Sequence, residues 1–152
     1  MNRVLRTYLP VVFLISSLLS FTAESAVLKF TQPNPQLTPG KICTPFDPNF
    51  SRYRYPAQIP YCNRNVTLEE KQKVAAAYGI SDSDWSQYEF DHLIPLSAGG
   101  SDDFENIWPQ PISEAREKDK VELDIYNNLN SGAIGQDQAI QEIKGWFATS
   151  SP

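Results

Sequence analysis

The chain has 152 residues, enough for one domain with a modest hydrophobic core, and its net charge is −5 with 20% charged residues. This acidic balance counts against a simple basic nucleic-acid-binding protein, although a local basic patch or a bound cation can still bring a protein to phosphate. The basic residues that could form such a patch are Arg52, Arg54, Arg64, Lys71, Lys73, Arg116, Lys118 and Lys120. The alternative is that these residues are scattered, solvated charges.

Residues 1–25 have the pattern of a signal peptide. Arg3 and Arg6 precede a mostly apolar run over residues 9–21, which is too short to span a bilayer comfortably. Residues 23–26 then provide a small-x-small pattern, with cleavage after residue 25 or, less well, after residue 26. We therefore expect a secreted or periplasmic protein without stable membrane association after cleavage. An uncleaved membrane anchor is the alternative.

The region between the signal peptide and the first predicted helix is rich in proline. Residues 26–40 contain three prolines and predict an extended arm or linker before a domain at 41–150. Residues 41–64 contain four more and predict an irregular segment that wraps the core. Cys43 and Cys62 are the only cysteines, and an exported chain meets an oxidising compartment, so we expect a disulfide between them. Such a bridge would stabilise the fold by roughly 3 kcal/mol.

The remaining elements follow from capping signals and hydrophobic spacing. Thr67 and Glu70 have the spacing of a capping box, which predicts a helix over 68–78 that ends at Gly79. Strands are predicted over 89–96 and from residue 106 to 109, separated by a polar, glycine-containing loop. Two further helices are predicted over 113–129 and 136–148, the last a packing helix. The pattern therefore predicts a small single domain of the α+β class with extra helices.

Three charged residues depart from the pattern of the helix predicted over 113–129. Lys118, Asp119 and Glu122 fall inside its apolar arc at 100° per residue, an arc formed by Ala115, Val121, Ile125, Tyr126 and Leu129. Charges on a buried face suggest a functional site. The alternative is an intrahelical salt-bridge set worth a few tenths of a kcal/mol.

A second cluster of charge lies in the first predicted strand. Glu89, Asp91 and His92 interrupt an apolar stretch, and such groups are costly to bury unless a site requires them. Adjacent strand residues point to opposite sides, so Asp91 and His92 cannot do the same job, whereas Glu89 projects on the side of Asp91. For His92, the only histidine, the alternative is a core residue satisfied by a carbonyl group.

Taken together, the Asp91-His92 step, the Gly99-Gly100 turn and the run Asn106-Ile107-Trp108-Pro109 resemble the HNH (His-Me finger, ββα-metal) nucleases. The longer pattern also looks like a group of small secreted bacterial HNH-like proteins. The resemblance implies a ββα-metal core. It also implies a secreted metal-dependent endonuclease, which would act as a monomer on the phosphodiester bonds of DNA, RNA or both.

The same resemblance implies roles for individual residues. Asp91 matches the metal ligand of the family, His92 its general base and Asn106 the residue that orients the histidine by bracing the loop backbone. Lys118 falls where the family often has a basic residue. The family usually has a further ligand in the first helical turn, but the corresponding residue here, Ala115, cannot bind a metal.

The missing ligand leaves the metal site open. Asp119 or Glu122 could supply the missing metal ligand, and Glu89 is a further candidate. The alternative is that the cation has fewer protein ligands and more bound water molecules. We expect a divalent cation, Mg²⁺ in the first place, with Mn²⁺, Ca²⁺ and Zn²⁺ as alternatives. Ala115 and the acidic net charge favour a second hypothesis: a catalytically inactive HNH-like scaffold that binds nucleic acid or a protein partner.

Overall fold

The structure is a computed structural model that describes residues 32–150. The predicted signal peptide and the start of the predicted arm lie outside these residues. Within residues 32–150, no helix is long and apolar enough to cross a membrane. In chain order the elements are β1 (Phe50–Arg54), β2 (Ile59–Cys62), α1 (Leu68–Tyr78), β3 (Tyr88–His92), β4 (Ile107–Pro111), α2 (Ile112–Ser131) and α3 (Gln136–Thr149).

The strands form two separate antiparallel pairs, β1 with β2 and β3 with β4. With three helices around them they make a small mixed α+β domain, as the sequence predicted. Helix α1 has the predicted bounds: the Thr67 side chain accepts from the backbone N–H of Glu70, and the Glu70 carboxylate accepts from that of Thr67. Gly79 closes the helix in the left-handed conformation, with φ of 63°.

The proline-rich segment at 41–64 is bridged by the predicted disulfide between Cys43 and Cys62, but it is more regular than expected. Its second half folds into the β1–β2 hairpin, where Pro60 of β2 lies opposite Tyr53 of β1. A proline is tolerated there because both strands of a two-stranded sheet are edges, each with one unpaired side. The high proline content therefore led to a prediction of irregular structure where the chain forms a β-hairpin.

Strands β3 and β4 and helix α2 follow one another as the sequence suggested, with shifted boundaries. β3 ends at His92, four residues early, because the chain then turns into a loop whose Pro95 lacks the N–H that a strand ladder needs. β4 begins at Ile107, and α2 follows it directly at Ile112. The register pairs Asp91 with Trp108 and His92 with Ile107, so the site residues of β3 lie where this hairpin meets its connecting loop.

The main hydrophobic core joins β3 and β4 to all three helices. Trp108 of β4, fully buried, packs edge-to-face on Phe147 of α3, and Ile125 and Leu129 of α2 are buried in the same cluster. Part of the predicted arm also contacts this core: the buried Thr38 hydroxyl is hydrogen-bonded to the hydroxyl of Tyr78 and donates to the carbonyl of Ile107. Residues around Thr38 are therefore part of the folded unit.

Candidate functional site

A cleft of about 160 Å³ lies between the end of β3, the loop after it and helix α2. Its charged lining comes from three separate parts of the sequence and consists of Arg64, Asp91, His92 and Glu122. The loop residues Pro95, Leu96 and Ser97 complete the wall. The cleft thus combines a base, two carboxylates and a cation in one small volume.

His92 is held from behind by a carboxylate that the sequence analysis did not single out. Its Nε2 lies 2.8 Å from Oδ1 of Asp102, and both side chains are almost fully buried. Asp102 is itself fixed by the backbone N–H of Asn65 and by the side chain of Asn49. When Nε2–H donates to Asp102, the lone pair of Nδ1 faces Asp91, whose Oδ1 is 3.7 Å away and so beyond direct hydrogen-bonding distance.

The surroundings of His92 make it a stronger base than a free imidazole. Burial acts to lower its pKa, but the carboxylates of Asp102 and Asp91 outweigh this effect and raise the pKa above its ordinary value. The guanidinium of Arg64 opposes them only weakly. The arrangement suits proton uptake at Nδ1, on the side of the cleft.

Lys118 lies beneath the cleft and joins its two carboxylates. Its ammonium group is 2.5 Å from Oδ2 of Asp91 and 2.6 Å from Oε1 of Glu122, and its side chain is only 1% exposed. Burial would lower the pKa of Lys118, but the two neighbouring carboxylates raise it above the ordinary value, so the ammonium stays charged. At this depth Lys118 cannot touch a substrate; it holds Asp91 and Glu122 in place.

The two carboxylates respond differently to this environment. Burial alone would raise the pKa of Asp91, but the interactions with His92 and Lys118 outweigh it and hold that pKa well below its usual range. Burial raises the pKa of Glu122, the charge of Asp91 adds to this, and Lys118 opposes it. Asp91, which has both His92 and Lys118 beside it, is therefore compensated more fully than Glu122, which has Lys118 alone.

The donor set at the cleft suits a hard divalent cation. Mg²⁺ typically takes one or two carboxylates and fills its remaining positions with water and phosphate oxygens. Lys118 pairs with one oxygen of Asp91 and one of Glu122. The other oxygen of Asp91, Oδ1, faces the cleft and lies 3.7 Å from the guanidinium of Arg64. Asp91 and Glu122 would hold such an ion, and the incompletely compensated charge of Glu122 favours its binding.

The loop between β3 and β4 is braced by Asn106, which lies one residue before β4. Its amide group donates to the carbonyls of Ile94 and Ser101 at 3.0 and 2.8 Å, and its Oδ1 accepts from the N–H of Ile94 at 2.9 Å. A Cβ on Gly100 would lie 1.8 Å from the carbonyl oxygen of Ile94, so this turn requires glycine. The brace fixes the position of the loop that carries Asp102.

The structure separates the other candidate ligands from the cleft. Asp119, expected inside the apolar arc of α2, is exposed, because the helix turns that position away from β3 while Lys118 and Glu122 face it. Glu89 is also exposed and lines a different groove beside β3. Ala115 is half-buried and has no ligand atom. Of the proposed metal-binding residues, the structure brings together only Asp91 and Glu122.

The basic residues do not form one continuous patch. Arg64 and Lys71 line the same groove, whereas Lys73 pairs with Glu69 and Lys120 pairs with Glu117 on exposed helix faces. Lys118, as described above, is buried. Lys73 and Lys120 are therefore paired surface charges, and of the basic residues named from sequence Arg64 is the one that lines the cleft.

A second group of metal-ligating residue types lies at the disulfide. Cys43, Asp47 and Cys62 place their ligand atoms within 4.8 Å of one another, so the group could hold a metal if both sulfurs were thiolates. Here the two sulfurs are bonded to each other. The carboxylate of Asp47 instead accepts from the N–H and hydroxyl of Thr44. Metal binding at this group would require prior reduction of the disulfide.

Sequence reasoning missed Asp102 and did not single out Arg64. Asp102 lies in a polar loop next to a second aspartate, and nothing in the pattern distinguishes the buried partner of His92 from its half-buried neighbour Asp103, which pairs with Lys41. Comparisons with protein-family models, with curated proteins and with solved structures found no match for this chain. The assignment of a function therefore depends on the residues and their geometry.

Proposed function

We propose that this protein is a metal-dependent endonuclease that hydrolyses phosphodiester bonds of DNA or RNA. One observation carries the proposal: His92 is buried between Asp102 and Asp91, with Nδ1 directed to a cleft that also holds Glu122 and Arg64. Hydrolysis of a phosphodiester requires a base, a charge-stabilising cation and a group that binds phosphate, and the cleft offers residues for all three.

A divalent cation bound by Asp91 and Glu122 would offset the negative charge that develops on the phosphate oxygens during the reaction. His92 accepts the proton of the attacking water at Nδ1, while Asp102 holds the ring through Nε2 and stabilises the resulting imidazolium. The water oxygen bonds to phosphorus as the bond to the leaving sugar oxygen breaks, and that oxygen takes a proton from water in the cleft. Arg64, half exposed at the mouth, binds a phosphate oxygen.

The remaining parts of the cleft position these groups. Lys118 keeps the carboxylates of Asp91 and Glu122 side by side, and Asn106 holds the loop that delivers Asp102 to His92. All of these residues belong to one chain, so the proposed site needs no residue from a second copy. The Cys43–Cys62 disulfide is compatible with the secreted or periplasmic location that the N-terminal pattern suggests.

The Lys118 ion pairs favour one other function, a non-catalytic scaffold that binds nucleic acid or a protein partner. The ammonium group already neutralises part of the charge of Asp91 and Glu122, so the cleft attracts a metal cation less strongly than two unpaired carboxylates would. A structural salt-bridge cluster of this kind can persist without catalysis. The two proposals differ in whether phosphodiester bonds are broken.

The deciding experiment incubates the purified protein with plasmid DNA and with RNA, in Mg²⁺ and in EDTA. The nuclease proposal expects cleavage in Mg²⁺ that EDTA abolishes and that Glu122→Gln strongly reduces. Glu117→Gln is the matched control, because Glu117 lies on the same helix but pairs with Lys120 at the surface. If the wild-type protein is inert with Mg²⁺, Mn²⁺, Ca²⁺ and Zn²⁺ on all nucleic acids, the scaffold proposal replaces it.

A further inference from the structure

A second groove, of about 470 Å³, lies beside the cleft along β3 and the start of α1. Arg64 lines both, so the guanidinium at the mouth of the cleft is also at the entrance of the groove. The volume is within the range of roughly 300–1,000 Å³ typical of small-molecule sites. A nucleic acid strand with one phosphate in the cleft would therefore have its neighbouring nucleotide near this groove.

The lining of the groove combines apolar surface with cationic groups. Trp85 is half-buried there and packs on Phe90 with 4.9 Å between ring centroids, which fixes the indole in position. Leu68 and Ile112 remain 65% and 51% exposed, although both are large apolar residues. Exposed apolar side chains next to an immobilised aromatic ring are suited to contact with the flat face of a base.

The charges along the same groove match a nucleic acid backbone. Lys71 is half-buried in the groove wall and forms no ion pair within residues 32–150. Lys73, two residues further along α1, pairs with Glu69 at the surface. With Arg64 at one end and Lys71 in the wall, the groove offers two cations to successive phosphates. Glu89 also lines it, and a carboxylate can accept hydrogen bonds from the amino group of a base.

We propose that this groove is a nucleotide subsite, in which Trp85 stacks on the base next to the scissile phosphate and Lys71 contacts the adjoining phosphate. The inference rests on the proposed nuclease function, because it takes the strand in the cleft as the ligand. A base must be unpaired to lie against the indole, so the favoured substrate is single-stranded DNA or RNA, or a locally opened duplex.

The test measures binding of a fluorescein-labelled single-stranded oligonucleotide by anisotropy, using the wild-type protein and its variants in EDTA, with an abasic oligonucleotide of equal length for comparison. Trp85→Leu should weaken binding of the base-bearing strand about 5- to 150-fold, the range expected for one stacked base. Binding of the abasic strand should be weak in the wild-type protein and change little in Trp85→Leu. Circular-dichroism melting checks that each variant folds. If Trp85→Leu does not fold, Leu68→Ser, at another apolar residue of the groove, is used in its place.

Lys71 is tested by the dependence of binding on salt. Loss of one phosphate contact to a single strand should reduce the slope of log K against log salt by about 0.7. Lys71→Gln should show this change, and Lys73→Gln, the matched control on the same helix, should not. The subsite is refuted if Trp85→Leu and Lys71→Gln both bind like Lys73→Gln, or if the abasic strand binds as tightly as the base-bearing one.

Binding in EDTA does not depend on cleavage, so the two proposals fail separately. A wild-type protein that cleaves nucleic acid in Mg²⁺ but shows no effect of Trp85→Leu or Lys71→Gln on binding would refute the subsite and leave the nuclease. A protein that cleaves nothing but loses single-strand binding in both variants would refute the nuclease and keep the groove as a binding site.

Discussion

The two ring nitrogens of His92 have different surroundings, and this difference defines what the residue can do. Nε2 is fixed by the buried carboxylate of Asp102, whereas Nδ1 faces the cleft and has no direct hydrogen bond to Asp91. A core histidine satisfied by a backbone carbonyl, the alternative suggested by sequence, would have no such carboxylate behind it. The side-chain geometry therefore favours proton transfer.

Removing His92 should abolish most of the proposed activity. His92→Ala is expected to lower cleavage of plasmid DNA or RNA by about 10²–10⁴-fold, because this is the usual contribution of a general base. Initial rates in Mg²⁺, measured beside a circular-dichroism melting curve, separate lost chemistry from lost folding. If wild-type protein and His92→Ala cleave equally fast, the base is a different group.

Lys118 should matter chiefly for stability. Lys118→Met keeps most of the side-chain volume but leaves Asp91 and Glu122 close together without their shared cation. Removal of one partner of a buried ion pair costs about 3–5 kcal/mol of folding free energy. Urea unfolding of Lys118→Met and of Lys120→Met, the exposed control on the same helix, measures this cost. A difference below about 1 kcal/mol would show that the pairs are weak.

At the level of elements, the segment around Cys43 supports the loop that carries Asp102. The N–H of Cys43 donates to the carbonyl of Gly99, and the N–H of Ser101 donates to the carbonyl of Lys41. The disulfide joins this segment to the end of β2, next to the Asn65 backbone that holds Asp102. The bridge thus helps to fix the group that orients His92.

Loss of the disulfide should therefore affect both folding and the proposed activity. A Cys43→Ser, Cys62→Ser double variant is expected to lose about 2–5 kcal/mol of stability, the usual cost in small secreted domains. Urea unfolding measures this loss, and cleavage assays at low temperature, where the variant remains folded, measure the effect on the loop. Full wild-type stability in the variant would mean that the bridge is not important for the fold.

Sequence predicted elements better where a local signal determines the structure. The capping box of Thr67 and Glu70 and the glycine at 79 define α1 without tertiary information. The β1–β2 hairpin was missed because its prolines suggested irregular structure, and the tolerance of an isolated sheet for proline depends on tertiary context. Periodicity likewise placed Asp119 with Lys118 and Glu122, whereas only the packing of α2 shows which charges face β3.

The Asp91-His92 pair could be recognised from sequence as a candidate site, because the strand alternation and the glycine turn are local patterns. Asp102 was not, because its role depends on contacts with the backbone of Asn65 and the ring of His92, 37 and 10 residues away. The groove proposed as a nucleotide subsite could not be predicted from sequence either, since it joins residues from α1, β3 and α2. Long-range contacts thus account for most of what the pattern could not predict.

For the whole molecule, the proposed metal should stabilise the fold as well as serve the reaction. A ligand that binds only the folded state raises stability by RT ln(1 + [L]/Kd), or about 2.7 kcal/mol at 100-fold excess over Kd. Mg²⁺ or Mn²⁺ should therefore raise the melting temperature of the wild-type protein and raise it less in Asp91→Asn and Glu122→Gln. Asp119→Asn is the comparison, because its exposed carboxylate should contribute little. Equal shifts in all four proteins would place the metal elsewhere.

The buried ammonium group of Lys118 also has a consequence for how the chain folds. Strands β3 and β4 bring Asp91 into position, but its ion pair with Lys118 forms only when α2 packs on them, and within α2 alone Lys118 pairs with Glu122. Separation of β3 from α2 would remove one of the two carboxylates that offset the buried ammonium group, and removing a partner from a buried ion pair is costly. Opening of β3 and of α2 should thus occur as one cooperative unit, with amide protons in both elements exchanging at the same free energy.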